Sequence, residues 1–236
     1  MQFDTPLIEA RLIRRYKRFL SDMELGDGAI VTAHCPNPGS MLGLAVPGSR
    51  CWLSYHTGGT RKLAYGWELV EARGTPIGLN LVGINTGRAN AIVAEALCNR
   101  RIPGLPSGAI EREVKVGTKS RLDFRLTDAD GRSCYVEVKS VTLSRQPGLA
   151  EFPDAKTARG AKHLTELAEL AAVGHRAVLL FLVQRGDCDR LSAAADIDPV
   201  YADGLAQVGG QGVEIIGLAC RLTPQAIEID RPIPLI

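Results

Sequence analysis

The first third of the chain carries short runs rich in apolar residues, with turn-forming residues between them. Short runs bounded by glycine, proline and asparagine predict β-strands. The strand candidates are Leu7 to Phe19, Ala29 to Ala33, Cys51 to Tyr55, and Trp67 to Ala72. The turn signals are Gly26 to Gly28, Pro36 to Gly39, Pro47 to Gly48, and Thr57 to Thr60. This punctuation predicts a small barrel or sandwich, and we favour an OB-like β-barrel, a common binder of single-stranded nucleic acid.

After residue 84 the pattern changes, and a second domain of helices and strands is predicted over residues 85–236. Asn90 is the expected N-cap of its first helix, and Pro103 to Pro106 ends that helix. The later elements expected are strands over 110–116, 120–127 and 134–139, a helix over 157–173 ended by Gly174, a buried strand over 177–183, a helix over 199–208, and a strand over 213–219. The chain is therefore expected to be α/β, or α+β overall, with residues 1–84 as its first domain.

Two neighbouring strands of the second domain form a predicted hairpin with acidic residues face to face. A three-residue loop, closed by Gly131 in the left-handed conformation, sets the register. Counting back along both strands places Asp123 directly opposite Glu137, with β-carbons about 5 Å apart. Lys139 lies two residues further along on the same outward face, together with Tyr135. The inward face is expected to carry Leu122, Phe124, Leu126, Cys134, Val136 and Val138.

Asp123, Glu137 and Lys139 are the candidate catalytic residues. Two carboxylates held this close repel each other unless a cation lies between them, and Mg²⁺ or Mn²⁺ suits such oxygen ligands. Glu95 on the preceding helix is the candidate third carboxylate. The metal would activate a water for phosphodiester hydrolysis, and Lys139 would orient that water, help to deprotonate it, or stabilise the developing charge. The simpler interpretation is an exposed strand face with an ordinary Lys–Glu pair, because E-x-K alone is common.

The distribution of charge indicates where a polyanion would bind. Residues 85–160 carry 13 basic and 9 acidic side chains, whereas residues 161–236 carry 6 basic and 10 acidic ones. The middle segment is therefore where a polyanion would bind, and a solvated surface with an ordinary charge imbalance is the alternative. The candidate nucleic-acid-binding residues are Arg14, Arg15, Lys17 and Arg18 on the first strand, and Arg112, Lys115, Arg121, Arg159 and Lys162 around the hairpin. A strand edge protected by charge is the alternative for the first group.

Two further features have open interpretations. His163, near the start of the second long helix, either helps to contact phosphate or is a solvated helix residue. The turn from Pro36 to Gly39 is expected to be a tight structural turn rather than a site of backbone approach for nucleic acid.

Targeting signals and cysteine spacing indicate the cellular compartment of the protein. The first residues show no basic-then-apolar signal pattern, and the apolar run from Ala177 to Val183 is too short to cross a bilayer. Six cysteines occur without a C-x-x-C pair, which is typical of reduced, mostly buried thiols. A cytoplasmic protein without a membrane partner is expected.

The hairpin residues also resemble a known nuclease core. Asp123 followed by Glu137-Val138-Lys139 resembles the D…E-x-K pattern of the PD-(D/E)XK superfamily, and the order helix, three strands, helix, strand matches that core. Leu122 stands where the superfamily has a proline, a change that removes no ligand. More narrowly, the chain resembles the sugar fermentation stimulation protein A family. The segments that carry this resemblance are HCPNPG at 34–39, VGINT at 82–86, REVK at 112–115, SRLDF at 120–124, YVEVKSVTL at 135–143, FPDA at 152–155, RGAKHL at 159–164 and VQR at 183–185.

This resemblance covers nearly the whole chain and implies an N-terminal OB-like domain joined to a restriction-endonuclease-like α/β domain. It also implies a DNA-binding protein with a metal-dependent nuclease site, linked to the regulation of sugar metabolism genes. The acidic and lysine core maps onto Asp123, Glu137 and Lys139. Two functions stay open, a nuclease acting on DNA or RNA and a non-catalytic DNA-binding regulator on a nuclease-derived fold. The oligomeric state is open as well.

Overall fold

The computed structural model describes residues 1–57, 62–72, 80–117, 120–128 and 130–236. Most of the turn predicted over residues 57–60, and Ala129 of the predicted hairpin loop, lie outside these residues. All six cysteines are free thiols, and five are buried while Cys98 is exposed, as the sequence predicts. No helix in the described segments is long and apolar enough to cross a bilayer.

Six strands make up the first sheet, and five of them close into a barrel. They are β1 (Ile8–Tyr16), β2 (Leu20–Leu25), β3 (Ile30–His34), β4 (Arg50–Tyr55), β5 (Tyr65–Glu71) and β6 (Leu81–Gly83). Their order is β3-β2-β1-β4-β5-β6, and a further pairing of β3 with β5 closes the ring. The predicted OB-like barrel is confirmed. The sequence pattern missed β2, which carries two acidic residues, and β6, which has only three residues.

Apolar and polar residues alternate between the two faces of β1. Ala10 and Leu12 are buried, whereas Arg11 is exposed, so one face of the strand packs into the barrel. Burial of a side chain such as Leu12 stabilises the fold by about 1.5–3 kcal/mol. The strand ends at a tight turn in which Lys17 and Arg18 have φ angles of 46° and 63°. The two basic residues therefore lie exposed at the tip of the β1–β2 hairpin.

A short 3₁₀ helix (Thr86–Arg88) and α1 (Ala89–Cys98) connect the barrel to the second sheet. Asn90 is not the N-cap of α1, as the sequence suggested, because Arg88 occupies that position without a side-chain cap. Asn85 instead caps the 3₁₀ helix by accepting a hydrogen bond from the Gly87 amide. The side chain of Asn90 is consequently free to act elsewhere.

The second large sheet has the order β15-β14-β12-β9-β8-β7, and a small sheet has the order β10-β11-β13. The strands are β7 (Ile110–Val116), β8 (Ser120–Thr127), β9 (Ser133–Val141), β10 (Leu143–Gln146), β11 (Gly148–Phe152), β12 (Arg176–Val183), β13 (Cys188–Ala193), β14 (Val213–Leu222) and β15 (Ile227–Ile233). The helices are α2 (Ala158–Ala172) and α3 (Pro199–Gly210). β12 pairs in parallel with both β9 and β14, as expected for a strand buried on both faces.

Helices cover both faces of the large sheet. One core cluster joins α1 to Val136, Val138 and Leu180, and the other joins α2 and α3 to Leu179 and Phe181. Barrel residues belong to the first cluster as well, so the two halves of the chain share a core. The domain boundary between residues 84 and 85 stays a prediction.

Two expectations about the hairpin faces were wrong. Leu122 packs in the cluster beneath α2, whereas Phe124 and Leu126 pack in the cluster beneath α1, so the three residues do not share one face. The face predicted to be outward is also not open to solvent, since the exposed fraction of Glu137 is 4%. The reason is that α2 packs over this face, which a two-strand pattern alone does not reveal.

Candidate active site

The β8–β9 hairpin forms with the predicted register. Gly131 has a φ of +81°, and the Asp128 amide donates to the Arg132 carbonyl at 2.8 Å. The ladder continues to the pair Phe124–Val136, one step short of Asp123 and Glu137. At that step the Asp123 side chain takes over, because its Oδ2 accepts the Val138 amide at 2.8 Å. The strands thus open where the two carboxylates lie.

Asp123 is fixed through both of its carboxylate oxygens. In addition to the Val138 amide on Oδ2, Asn90 Nδ2 donates to Oδ1 at 2.6 Å. Burial, and then the negative charge of Glu137, raise the pKa of Asp123 to about 6, despite the opposing effect of these hydrogen bonds. Asp123 and Glu137 are therefore close enough to repel each other, as the hairpin register predicts.

Glu137 is a buried carboxylate with two unequal oxygens. Oε1 accepts from Lys139 Nζ at 2.8 Å and makes a short contact with His163 Nδ1. Oε2 is buried and has no hydrogen-bond partner among the described residues. Burial alone would raise the pKa of Glu137, but the hydrogen bond from His163 and the positive charge of Lys139 outweigh it and lower the pKa. Glu137 is thus held as a charged carboxylate, and its buried Oε2 has no hydrogen-bond partner among the described residues.

The second turn of α2 places His163 against this carboxylate. Thr157 caps the helix by accepting from the Gly160 amide at 3.0 Å. Arg159 Nε lies 3.5 Å from His163 Nε2, and because a guanidinium only donates, Nε2 is the accepting nitrogen of the ring. The proton of a neutral His163 then sits on Nδ1, where it is donated to Glu137.

Gly160 allows α2 to approach the rest of the structure closely. A β-carbon there would lie 2.7 Å from Thr157 Cγ2 and 3.1 Å from Tyr201. A larger residue would displace the turn that carries His163.

These side chains surround a polar cavity of about 250 Å³ between α1, the hairpin and α2. Its walls include the three predicted catalytic residues. The other side chains that bring polar groups to the cavity are Thr86, Asn90, Ser140, Thr157, Arg159 and His163. The arrangement combines two carboxylates with two cationic side chains, which suits a phosphate group bound together with a metal ion.

The donor set fits a hard divalent cation. Mg²⁺ is usually held in proteins by one or two carboxylates, with water and phosphate as its other ligands. Asp123 and Glu137 supply two such carboxylates, and the orphaned Oε2 of Glu137 lacks the partner that a cation would provide. No cluster of three or more histidine, cysteine or acidic side chains suited to a metal occurs in the described part of the chain.

Glu95 does not complete this site, contrary to the sequence-based expectation. Its Oε1 forms an ion pair with the N-terminal ammonium of Met1 at 2.8 Å. Five residues separate Glu95 from Asn90, which turns the two side chains to different sides of α1. The residue that α1 contributes to the carboxylate pair is therefore the amide Asn90.

The predicted basic cluster of the first strand divides into two groups. Arg14, Lys17 and Arg18 are exposed, and Arg14 pairs with Asp22 at 2.8 Å. The guanidinium of Arg15 instead makes hydrogen bonds within the protein, to the carbonyl groups of Arg18, Asn37, Gly39 and Ser40. The nucleic-acid-binding role of Arg15 stays a prediction, with four of its hydrogen bonds already made within the structure. The loop from Asn37 to Ser40 is also held internally, because Asn37 Oδ1 accepts the Gly39 amide at 2.8 Å.

The basic residues around the hairpin lie near the site. Lys115 and Arg121 are exposed partners across the β7–β8 ladder, and Arg121 is two residues from Asp123. Lys162 Nζ donates to Ser120 Oγ at 2.7 Å, which places it beside the same strand end. Arg112 is exposed further along β7, with its guanidinium 5.9 Å from the Phe124 ring centroid. With Arg159 in the cavity wall, these residues form a basic margin along one side of the site.

Sequence reasoning missed the roles of Asn90 and His163. The open question about His163 is resolved against a solvated residue, since its exposed fraction is 3%. A signal for this was available, because Gly160, His163, Leu164 and Leu167 follow the i, i+3, i+4, i+7 spacing of a buried helix face. For Asn90 the sequence holds no comparable signal, since its partner Asp123 is 33 residues away.

A closed five-stranded barrel followed by a mixed sheet with this carboxylate pair defines an OB-like domain joined to a restriction-endonuclease-like domain. The chain belongs to the sugar fermentation stimulation protein family. The family model described as the SfsA N-terminal OB domain matches residues 13–79, and the one described as the sugar fermentation stimulation protein RE domain matches residues 87–226.

Individual relatives match along the whole chain. The sugar fermentation stimulation protein homolog of Rhodospirillum centenum is 56% identical over 100% of this chain and 99% of its own length. The homolog of Ruegeria sp. is 52% identical over 99% of this chain and 100% of its own length. The structure of Pyrococcus furiosus SfsA in complex with Ca²⁺ is 27% identical, with a TM-score of 0.88 over 100% of this chain and 98% of that one.

Proposed function

We propose that this chain is a metal-dependent nuclease that hydrolyses phosphodiester bonds in DNA or RNA. The observation that carries the proposal is the buried Glu137 carboxylate, whose Oε2 lacks a partner beside the repelling carboxylate of Asp123. A protein gains nothing in stability from such an arrangement, because both groups carry a desolvation cost. The arrangement is explained if a cation is bound during function.

Asp123 and Glu137 would hold Mg²⁺ or Mn²⁺, which when bound activates water and neutralises phosphate charge. The known complex of a relative with Ca²⁺ supports a hard cation in this family. Asn90 and the Val138 amide orient Asp123, and His163 and Lys139 orient Glu137. Lys139 and Arg159 also face the cavity, where they donate to the phosphate oxygens that gain negative charge during cleavage.

The nucleic acid itself would lie along the basic margin, which includes Lys115, Arg121 and Lys162. These cations neutralise backbone phosphates without reading bases, so binding is expected to weaken steeply as salt rises. The exposed Arg14, Lys17 and Arg18 of the barrel extend the same type of contact. An OB barrel is a frequent nucleic-acid-binding module, which supports this assignment.

A DNA-binding regulator of sugar metabolism genes without catalysis is the alternative. Such a protein needs the basic surfaces but has no use for the buried carboxylate pair and its lysine. The geometry of Glu137 therefore favours the nuclease.

The test is cleavage of single- and double-stranded DNA and RNA with Mg²⁺ or Mn²⁺, and with EDTA as the blank. We expect cleavage by the wild type that Glu137→Gln and Lys139→Ala abolish while nucleic-acid binding remains. Glu111→Gln is the matched control, because Glu111 is an exposed carboxylate on the neighbouring strand β7. Calorimetric titration with Mn²⁺ supplies a readout independent of turnover. Equal cleavage by wild type and Glu137→Gln, or no cleavage of any substrate, would overturn the proposal.

A further inference from the structure

A second cavity, of about 460 Å³, opens in the barrel and has no part in the chemistry at Asp123 and Glu137. It lies where strands β3 and β4 end and strand β5 begins. The residues that matter for its chemistry are His34, Pro36, His56, Lys62, Tyr65 and Glu68. Its volume lies within the range of small-molecule sites in proteins, about 300–1,000 Å³.

The walls of this cavity are rich in rings. His34 is exposed and stacks on Phe19 with an interplanar angle of 24° and a centroid distance of 6.4 Å. Tyr65 is half-buried and packs against Tyr55 at a centroid distance of 5.0 Å. Each of these two rings therefore packs against an aromatic ring that is not part of the cavity lining. Rings held in this way are the usual platforms for stacking unpaired bases.

The floor of the cavity is polar and rigid. Glu68 has an exposed fraction of 2% and accepts hydrogen bonds from Ser54, Asn85 and Arg88. The Ser54 hydroxyl donates to Glu68 Oε1 at 2.9 Å, so its oxygen accepts from His56 Nε2 at 3.1 Å. A neutral His56 then keeps Nδ1 as an acceptor, for which the described residues supply no donor. An amino group of a base has the donor that this position lacks.

Lys62 adds positive charge to the same cavity. The side chain is exposed, and the structure shows no acidic partner for it among the described residues. A ring-lined cavity with one acceptor on its floor and one cation in its wall matches the parts of a nucleotide, namely its base and its phosphate.

The two cavities share a wall. Asn85 lines the barrel cavity, whereas Thr86 and Gly87 line the cavity with the carboxylates. Thr86 donates from both its amide and its hydroxyl to the Pro36 carbonyl, each at 3.1 Å, which fixes the wall to the barrel. Consecutive Cα atoms are about 3.8 Å apart, so the linings of the two cavities meet at neighbouring residues of the chain.

We propose that the barrel cavity binds one unpaired nucleotide of the strand whose phosphodiester lies at Asp123 and Glu137. This assignment rests on the proposed nuclease function for its placement, and it names single-stranded nucleic acid, or a strand with a frayed end, as the substrate class. A duplex cannot insert a stacked and paired base into the cavity without first unpairing it.

The test is equilibrium binding of a fluorescent single-stranded DNA oligonucleotide and of the matching duplex, both in EDTA. His34→Ala, His56→Ala and Tyr65→Leu are compared with His175→Ala. His175 is the matched control, because it is also exposed and in ring contact with an aromatic residue, Tyr135, but lies beyond the end of α2. We expect the three cavity variants to weaken single-strand binding on the order of tenfold, with little change for the duplex. The dependence of affinity on salt should stay the same, because no phosphate contact is removed.

Free nucleotides separate base recognition from simple anion binding. Histidine signals in NMR spectra should shift on titration with a 5′-deoxynucleoside monophosphate and not with inorganic phosphate at the same concentration. Equal shifts with inorganic phosphate would overturn the proposal, as would wild-type affinity in the exposed variant His34→Ala. Cleavage is scored separately, so a chain that binds the nucleotide without cutting fails only the nuclease proposal, and one that cuts without using the cavity fails only this one.

Discussion

Asn90 Nδ2 donates a hydrogen bond to Asp123 Oδ1 at 2.6 Å, which links α1 directly to the central hairpin. The contact joins residues 33 positions apart and leaves the other oxygen, Oδ2, on the Val138 amide. Asp123 is thereby fixed in one orientation before any cation binds. Groups that orient a metal-binding side chain in this way commonly change metal affinity by 10- to 100-fold when removed.

Asn90→Ala is accordingly expected to weaken Mn²⁺ binding by about tenfold or more. The physical reason is that Asp123 gains rotational freedom and loses a donor that stabilises its charged form. Isothermal titration calorimetry measures the change. Asn99→Ala serves as the control, because Asn99 is an exposed residue at the other end of the same helix. Unchanged Mn²⁺ affinity in Asn90→Ala would show that this hydrogen bond does not prepare the site.

Asp123→Asn is expected to stabilise the metal-free protein at neutral pH while abolishing cleavage. The pKa of Asp123 is about 6 in the folded chain against an ordinary 3.8, so the folded state holds the proton more tightly than the unfolded state. The free energy of unfolding of the wild type therefore falls as the pH rises from about 4 through about 6. The Asp123→Asn variant does not show this fall, because asparagine does not titrate. The gain in free energy of unfolding is at most on the order of 3 kcal/mol at pH 8, because asparagine replaces one of the two accepting oxygens of Asp123 with a donor.

Urea unfolding in EDTA measures this effect. The advantage of Asp123→Asn should shrink to about half at pH 5, where the folded wild type is already mostly protonated. Added Mg²⁺ should narrow the difference at pH 8, because it binds and stabilises only the wild type. A variant less stable than wild type at pH 8 in EDTA would contradict the interpretation that burial and the charge of Glu137 disfavour the charged form of Asp123.

His163→Ala should slow cleavage on the order of tenfold or more, because Glu137 loses one of the two donors that orient Oε1. His163→Gln offers an amide donor at a similar reach and should recover part of the rate. Single-turnover kinetics at saturating metal separates this effect from weaker metal binding. Equal rates for the alanine and glutamine variants would assign His163 to packing alone.

Arg15→Ala and Arg14→Ala separate a structural arginine from a surface one. Arg15→Ala should lower the free energy of unfolding by about 2 kcal/mol, since four backbone carbonyls lose a charged donor. Arg14→Ala should leave stability nearly unchanged and instead reduce the salt dependence of nucleic-acid binding by about one charge. Thermal unfolding and salt-dependent binding titrations measure the two effects. The reverse outcome would place Arg15 on the nucleic-acid surface.

Much of the fold was predictable because its signals are local. Short runs between turn signals predicted β1, β4 and β5, strand alternation predicted β8 and β9, and the continuous apolar run predicted the doubly covered strand β12. The hairpin register followed from Gly131, since a left-handed residue in a short loop leaves few alternatives. Strands with weak patterns, such as β2 with its two acidic residues, were not predicted, because their burial depends on the strands that pair with them.

The candidate site likewise has a part that the sequence predicted and a part that only the tertiary structure revealed. The sequence by itself determined that Asp123, Glu137 and Lys139 come together, because one hairpin carries all three. Only the tertiary structure decided that Glu95 pairs with Met1, that Asn90 orients Asp123, and that α2 buries Glu137 beneath His163. The physical reason is that hairpin register is fixed by a few adjacent residues, whereas the packing of helices on a sheet depends on the shape of the whole core.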